Sequence, residues 1–400
     1  MRDRYAEMAV AQKPEPERAT RYTPEFELLL CSARTVPDAA RIEALVNTEI
    51  NWPVFLDLAA THGVRPLVYQ SMRARCWNRL PREIQTEWQE AHQSLTGRNL
   101  FITGEMLRIT AEFRAMKIPV AVLKGSVIAE MAYGNFAMRE FNDLDLLVLE
   151  ADFSRAVELL ERSGYHLLWK QGIRNVKQFQ RYAGECKLAS GTCATEIDLH
   201  WRVATKATAL SPSVSDFPSG FQPIPIAGSS VLSFAPEDLP LYLASQGGWD
   251  QWCDLRRICD LAEFLRRYPD VNWQPSLEKA RRLGGLRSML TGLSLASELL
   301  GAELPESIVR RIHADAGVSR LAENAIQYLQ QNHKSGEPVS RYLFQMKAKE
   351  GLGAKIALAW SILTDRTAED GTWIMLPRPL WWFYGLLRPL RMTSKMLRRA

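Results

Sequence analysis

"VAVLKGSVIAEMAYGNFAMREFNDLDLLVLE", residues 120–150, decides how the chain is read. A short apolar run, rich in β-branched residues, stops at Lys124-Gly125-Ser126. About twenty residues later Asp143 and Asp145 interrupt a second apolar run where a buried strand would carry Val or Ile. Successive side chains alternate faces in a strand. The two aspartates therefore share one face, and Leu144, Leu146 and Val148 take the other. Carboxylates about 7 Å apart along a strand repel and resist burial. A divalent cation reverses that balance, and Mg²⁺ is bound by one or two carboxylates together with phosphates and water.

The same device recurs in "TEIDLHW", residues 195–201, where Asp198 interrupts an apolar strand and Ile197 and Leu199 face away from it. If the two strands are neighbours, Asp143, Asp145 and Asp198 converge. Three carboxylates suit a two-metal arrangement for displacement at phosphorus. His200 shares the face of Asp198, and a metal ligand, a substrate contact and a structural histidine all stay open for it. Gly125-Ser126 hands a strand to a helix. It is read either as a plain N-cap or as a phosphate cradle built on free backbone N–H groups. Lys124 adds charge there or is a solvated strand end. A D-x-D alone arises by chance about once in a chain of this size, so the ordered series carries the argument, not the pair.

Around this stretch the 400 residues exceed one ordinary core, and two or three domains are expected. The composition, 46% apolar and 24% charged, is that of a globular protein. The net charge of +5 does not by itself call for nucleic acid. Six scattered cysteines form no CxxC and no zinc spacing. They read as reduced thiols, and with no secretory h-region in the opening residues the expected location is cytoplasmic. The expected organisation is a flexible N-terminus over 1–24 and a helical region over 25–116. A palm of strands and helices follows over 117–205, then a Ser/Pro-rich linker or excursion over 206–235. A C-terminal helical domain covers 236–365, and an aromatic, basic tail covers 366–400. The fold class is mixed α/β, rich in helix, with a mixed sheet between helical regions.

The elements "LKGS", "DLDL" and "IDLH" resemble the pattern of the DNA polymerase β-like nucleotidyltransferase superfamily. More narrowly, "LKGSVIAEMAYG", "MREFNDLDLLV", "ERSGY" and "IDLHW" are similar to a bacterial group of uncharacterised nucleotidyltransferases, with the core match over about residues 117–203. The resemblance implies Mg²⁺ or Mn²⁺ on Asp143, Asp145 and Asp198, with Asp198 helping to deprotonate an acceptor hydroxyl. It implies Gly125 and Ser126, with Lys124 beside them, on the phosphates of an NTP, for which ATP is the expected choice. Arg139 occupies the R-x3-D position, either neutralising triphosphate charge or forming a structural ion pair.

The implied reaction is transfer of NMP to an acceptor hydroxyl with release of pyrophosphate. A peptide or protein, a small molecule or a sugar is preferred as acceptor over nucleic acid, because no basic stripe with interleaved aromatics lies near the palm. The competing reading is a catalytically silent scaffold that keeps the fold for binding. In "CDLRRICDLAEFLRR", Asp254, Arg257 and Asp260 read as an ion-paired helix face. The tail, with Trp381, Trp382, Phe383 and Tyr384 among six basic residues, is read as packing on the body in preference to peripheral membrane contact.

Overall fold

Strand β2, Asp143–Val148, lies parallel to β5, Glu196–His200, and the two form the middle of a five-stranded mixed sheet. The computed structural model describes residues 21–168, 184–191, 195–217, 220–331 and 338–364. The sheet also contains β1 (Val120–Val122), β3 (Tyr165–Leu167) and β4 (Glu185–Ser190), in the order β1-β2-β5-β4-β3. All pairs except β2·β5 are antiparallel. On one side Leu144, Leu146, Val148, Cys186, Leu188, Ile197 and Leu199 are buried, as alternation requires. The other side carries the polar series.

The first helices are α1 (Pro24–Ser32), α2 (Ala39–Val46), α3 (Trp52–Thr61) and α4 (Arg65–Arg75), followed by the long α5 (Arg82–Ala115). Side-chain caps from Thr23, Asp38 and Asn51 start α1, α2 and α3. Helix α6, Ser126–Ile128, runs on into one π-turn, Ala129–Tyr133, which ends at Gly134. Helix α7, Phe153–Arg162, buries Phe153, Ala156, Val157 and Leu160 along one stripe.

The 206–235 stretch, expected as linker or excursion, contains a hairpin of β6 (Phe221–Ile226) and β7 (Ser229–Phe234). Pro223 and Pro225 are tolerated because both point outward on a two-stranded ribbon. The turn Ala227-Gly228 has φ of 48° and 77°, the left-handed pair that two-residue hairpins need. The Ser233 hydroxyl then ties β7 to the Val122 carbonyl of β1 at 2.6 Å.

The remaining helices are α8 (Leu239–Trp249), α9 (Leu255–Arg267), α10 (Gln274–Arg282) and α11 (Leu286–Leu300). They are followed by α12 (Glu306–Ala314), α13 (Ala316–Gln330), α14 (Pro338–Ala348) and α15 (Leu352–Thr364). Among the described residues no helix is long and apolar enough to cross a membrane. Between α8 and α9 the fully buried Trp252 fills a slot made by two glycines: a Cβ at Gly247 or Gly292 would stand 2.2 Å from its ring. Buried apolar residues from the N-terminal helices, the sheet and the C-terminal helices form one continuous cluster. Polar ties reinforce it, including Arg256 N–H to the His62 carbonyl at 3.2 Å and Thr35 N–H to Glu263 at 3.1 Å. Residues 1–20 and the 366–400 tail lie outside the described residues.

Candidate active site

The polar side of the sheet is ordered in rows across three strands. Asp145 of β2 pairs in register with Asp198 of β5, and Asp198 with Lys187 of β4. One step along, Asp143 lies opposite Glu196, and in the other direction Leu147 lies beside His200, which faces Glu185. Parallel, in-register pairing puts Asp145 and Asp198 on the same face of adjacent strands. The convergence expected of these two acids is therefore present, and His200 joins them. Ligand atoms of Asp145, Asp198 and His200 all lie within 4.8 Å of one another. Asp143 stands on the same face at the more open end of β2, outside that trio of ligand atoms.

Each buried acid is met by a cation. Lys124 Nζ is 2.8 Å from Asp145 Oδ1, and Lys187 Nζ is 2.8 Å and 3.0 Å from the two oxygens of Asp198. The His200 ring places Nε2 3.0 Å from Asp145 Oδ1 and Nδ1 3.2 Å from Glu185 Oε2. Asp145 is only 3% exposed. Burial alone would raise its carboxyl, but Lys124 and His200 outweigh burial and hold it far below the usual carboxylate range. Asp198 goes the other way: burial pushes its carboxyl up, Lys187 opposes, and neighbouring Asp145 adds to the rise. Lys187 is itself shifted upward, since the bond and charge of Asp198 outweigh its partial burial. The pair thus favours a charged lysine, while the acid bears the cost of burial beside another carboxylate. Two carboxylates and an imidazole are a donor set that fits a divalent ion.

The turn upstream is as sharp as its sequence suggests. Gly125 has φ 62° and ψ −123°, a conformation open to glycine and strained for other residues. A Cβ there would find room, 3.5 Å from Phe141, so the requirement lies in the backbone. The Ser126 hydroxyl is buried and bonded to Thr103 of α5 at 2.8 Å, which commits it to the packing of α6 on α5. The Ser126 hydroxyl is thus occupied, and the ammonium of the preceding Lys124 is bonded to Asp145 at 2.8 Å.

Arg139 makes the structural ion pair. Its Nε and Nη2 donate to the two oxygens of Asp260 on α9 at 2.8 Å and 2.9 Å, and the side chains are 3% and 0% exposed. Tyr133 donates to the same carboxylate at 2.9 Å. The loop before β2 is fixed further by Asn99, which donates to the carbonyls of Phe136 and Arg139 at 2.8 Å each. Arg65 grips Glu140 through both Nη2, at 2.7 Å, and Nε, at 3.0 Å. These contacts set where Asp143 and Asp145 enter the sheet. The ion-paired face expected within α9 is rearranged: Asp254 caps the helix and pairs with Arg256, Arg257 pairs with Asp250, and Asp260 turns inward to Arg139. The low dielectric between sheet and helix favours a bidentate partner over an exposed i,i+3 contact.

The profile of a family described as uncharacterised nucleotidyltransferases matches residues 48–301, a span that runs from the N-terminal helices through α11. The chain belongs to that family. No curated protein matches the sequence. The matched span includes both the acid-bearing strands and Asp260, the buried partner of Arg139. Sequence reasoning missed Lys187 and Glu185. Their signal was alternation in "ECKLAS", where positions 185 and 187 share a face, but the pairing of that strand with β5 could not be read from the chain alone.

Proposed function

We propose that the protein transfers a nucleoside monophosphate from an NTP, with ATP the expected donor, to an acceptor hydroxyl, releasing pyrophosphate. The observation that carries this reading is the in-register pairing of Asp145 with Asp198 on the polar side of the sheet, beside the Gly125-Ser126 turn. Asp143, Asp145 and Asp198 would hold Mg²⁺ or Mn²⁺. Such an ion, when bound, neutralises phosphate charge and makes the acceptor oxygen easier to deprotonate.

The chain's own groups supply the rest. Backbone N–H groups at Gly125 and Ser126 meet the β- and γ-phosphates, and the Lys124 ammonium supplies charge next to them. The Asp198 carboxylate, whose proton affinity burial has already raised, takes the acceptor's proton. The acceptor oxygen then bonds to the α-phosphorus as the bond to the bridging oxygen of the β-phosphate breaks, and pyrophosphate leaves. Arg139 acts at a distance by holding the loop that delivers Asp143 and Asp145. The acceptor classes that fit are a peptide or protein side chain, a small molecule and a sugar.

The test is incubation with ATP labelled at the α-phosphate and a divalent ion, with a panel of these acceptors. Transfer that disappears in Asp143→Ala and Asp145→Ala supports the reading. ATP binding with no turnover across the panel would point instead to a binding scaffold.

A further inference from the structure

We propose that His200 is a nitrogen ligand of the ion held by Asp145 and Asp198, oriented by Glu185, so that the site prefers a first-row transition ion such as Mn²⁺ to Mg²⁺. The inference rests on the metal-binding part of the function proposed above and goes beyond its three carboxylates. Its starting point is the ring itself. His200 is 8% exposed by its side chain, and both of its nitrogens face acid oxygens. A neutral imidazole has one N–H. If Nδ1–H donates to Glu185, the lone pair on Nε2 points at Asp145 Oδ1 across 3.0 Å. Two lone pairs at that distance repel. The contact is favourable only with a cation between them, a proton or a metal ion.

The arrangement around the ring is the one that metal-binding histidines use. Such a ring almost always donates its second N–H to a carboxylate or carbonyl, which fixes the tautomer and aims the other nitrogen at the ion. Glu185 sits opposite His200 in the β4·β5 register and reaches Nδ1 at 3.2 Å. It is half exposed and has the sheet's antiparallel pairing to hold its backbone in place. The remaining nitrogen, Nε2, then joins Asp145 and Asp198 in the one trio of ligand atoms that the described residues bring within 4.8 Å. Both partners of the ring are carboxylates, Asp145 at Nε2 and Glu185 at Nδ1.

The metal preference follows from the donor set. Mg²⁺ takes oxygen ligands in a near-ideal octahedron and parts with water reluctantly. An imidazole nitrogen among carboxylates shifts the balance toward Mn²⁺ and its later neighbours.

The test uses the full chain without a histidine tag and without nucleotide, and Mn²⁺ as the probe. Electron spin echo envelope modulation detects a directly coordinated ¹⁴N. The expected result is nitrogen modulation on bound Mn²⁺ that vanishes in His200→Gln. A loss of Mn²⁺ affinity of about 10–100-fold is expected in Glu185→Gln, the usual cost of removing an outer carboxylate partner. Titration against Mg²⁺ should show a smaller change in both variants. Bound Mn²⁺ without nitrogen modulation in the wild type overturns the inference whether or not His200→Gln folds. Modulation that survives in a folded His200→Gln, or failure of the protein to bind Mn²⁺ at millimolar concentration, overturns it equally. Nitrogen coupling with no nucleotide transfer would leave this inference standing and remove the enzymatic reading. Transfer without nitrogen coupling would do the reverse.

Discussion

Replacing Asp260 with alanine removes the inner half of the buried ion pair that ties the loop before β2 to α9. Two charge-assisted bonds to Arg139, at 2.8 Å and 2.9 Å, are lost with it, together with the acceptor of the Tyr133 hydroxyl. The guanidinium, 3% exposed, then keeps only a 3.5 Å approach to the Glu140 carbonyl, and it still feels the nearby charge of Arg257. Breaking one side of a buried pair in this way costs about 3–5 kcal/mol. The double replacement Arg139→Met with Asp260→Leu buries no orphaned charge. It should cost only the unpaired Tyr133 hydroxyl, about 1–3 kcal/mol. Urea unfolding of the wild type, Arg139→Met, Asp260→Leu and the double variant, followed by tryptophan fluorescence, measures this as a double-mutant cycle, with Asp260→Ala as a separate check on the single-variant cost. A single-variant cost below about 1 kcal/mol, or a double-variant cost equal to the sum of the singles, would refute the claim that this pair anchors the loop.

Other outcomes follow from the same geometry. Gly125→Ala should cost about 1–3 kcal/mol through backbone strain at φ 62°, although its Cβ has space, and should weaken NTP binding measured by calorimetry. Ser126→Ala should cost about 0.5–1.5 kcal/mol, the worth of its bond to Thr103, and leave NTP affinity nearly unchanged, because the hydroxyl is committed to α5. A large loss of NTP affinity in a stably folded Ser126→Ala would return that hydroxyl to the phosphates. Asp315, which caps α13 and pairs with Arg287 at 2.8 Å, has its carboxyl lowered; its partial burial opposes this, but Arg287 and the Gly317 N–H outweigh it. The folded state therefore binds that proton more weakly than the unfolded chain. The stabilisation is present above the ordinary carboxylate range and is lost as the pH falls through the folded value. Asp315→Ala should lower stability at neutral pH by about 0.5–2 kcal/mol and flatten the acid limb of the stability profile.

Much of the palm was legible because its chemistry sits in a few short runs. The alternation in "DLDLLV" and "EIDLH" assigns faces without reference to anything distant, and the apolar halves of both strands are buried as that alternation requires. The helix after Glu150 and its close at Gly164 follow from a 3.6-residue stripe and a left-handed stop. What could not be read is pairing over long separations. Arg139 and Asp260 are 121 positions apart, and the local i,i+3 spacing of Arg257 and Asp260 suggested a nearer and different partner. Lys187 and Glu185 belong to the polar face only once β4 is laid against β5 in a fixed register. The hairpin at 221–234 was hidden for another reason. Its prolines, normally breakers, occupy the outward positions of a two-stranded ribbon that asks little of their missing N–H groups.

The slot that holds Trp252 has a consequence for how this chain can drift. The indole occupies the volume that a methyl group would need on Gly247 of α8 and on Gly292 of α11. Neither glycine can accept alanine while the tryptophan stays, and a smaller residue at 252 would open a void that two glycines cannot fill. The three positions, scattered over 46 residues of sequence, therefore behave as one heritable unit: any lineage that changes one has to pass through a damaged intermediate or change its companions at the same time.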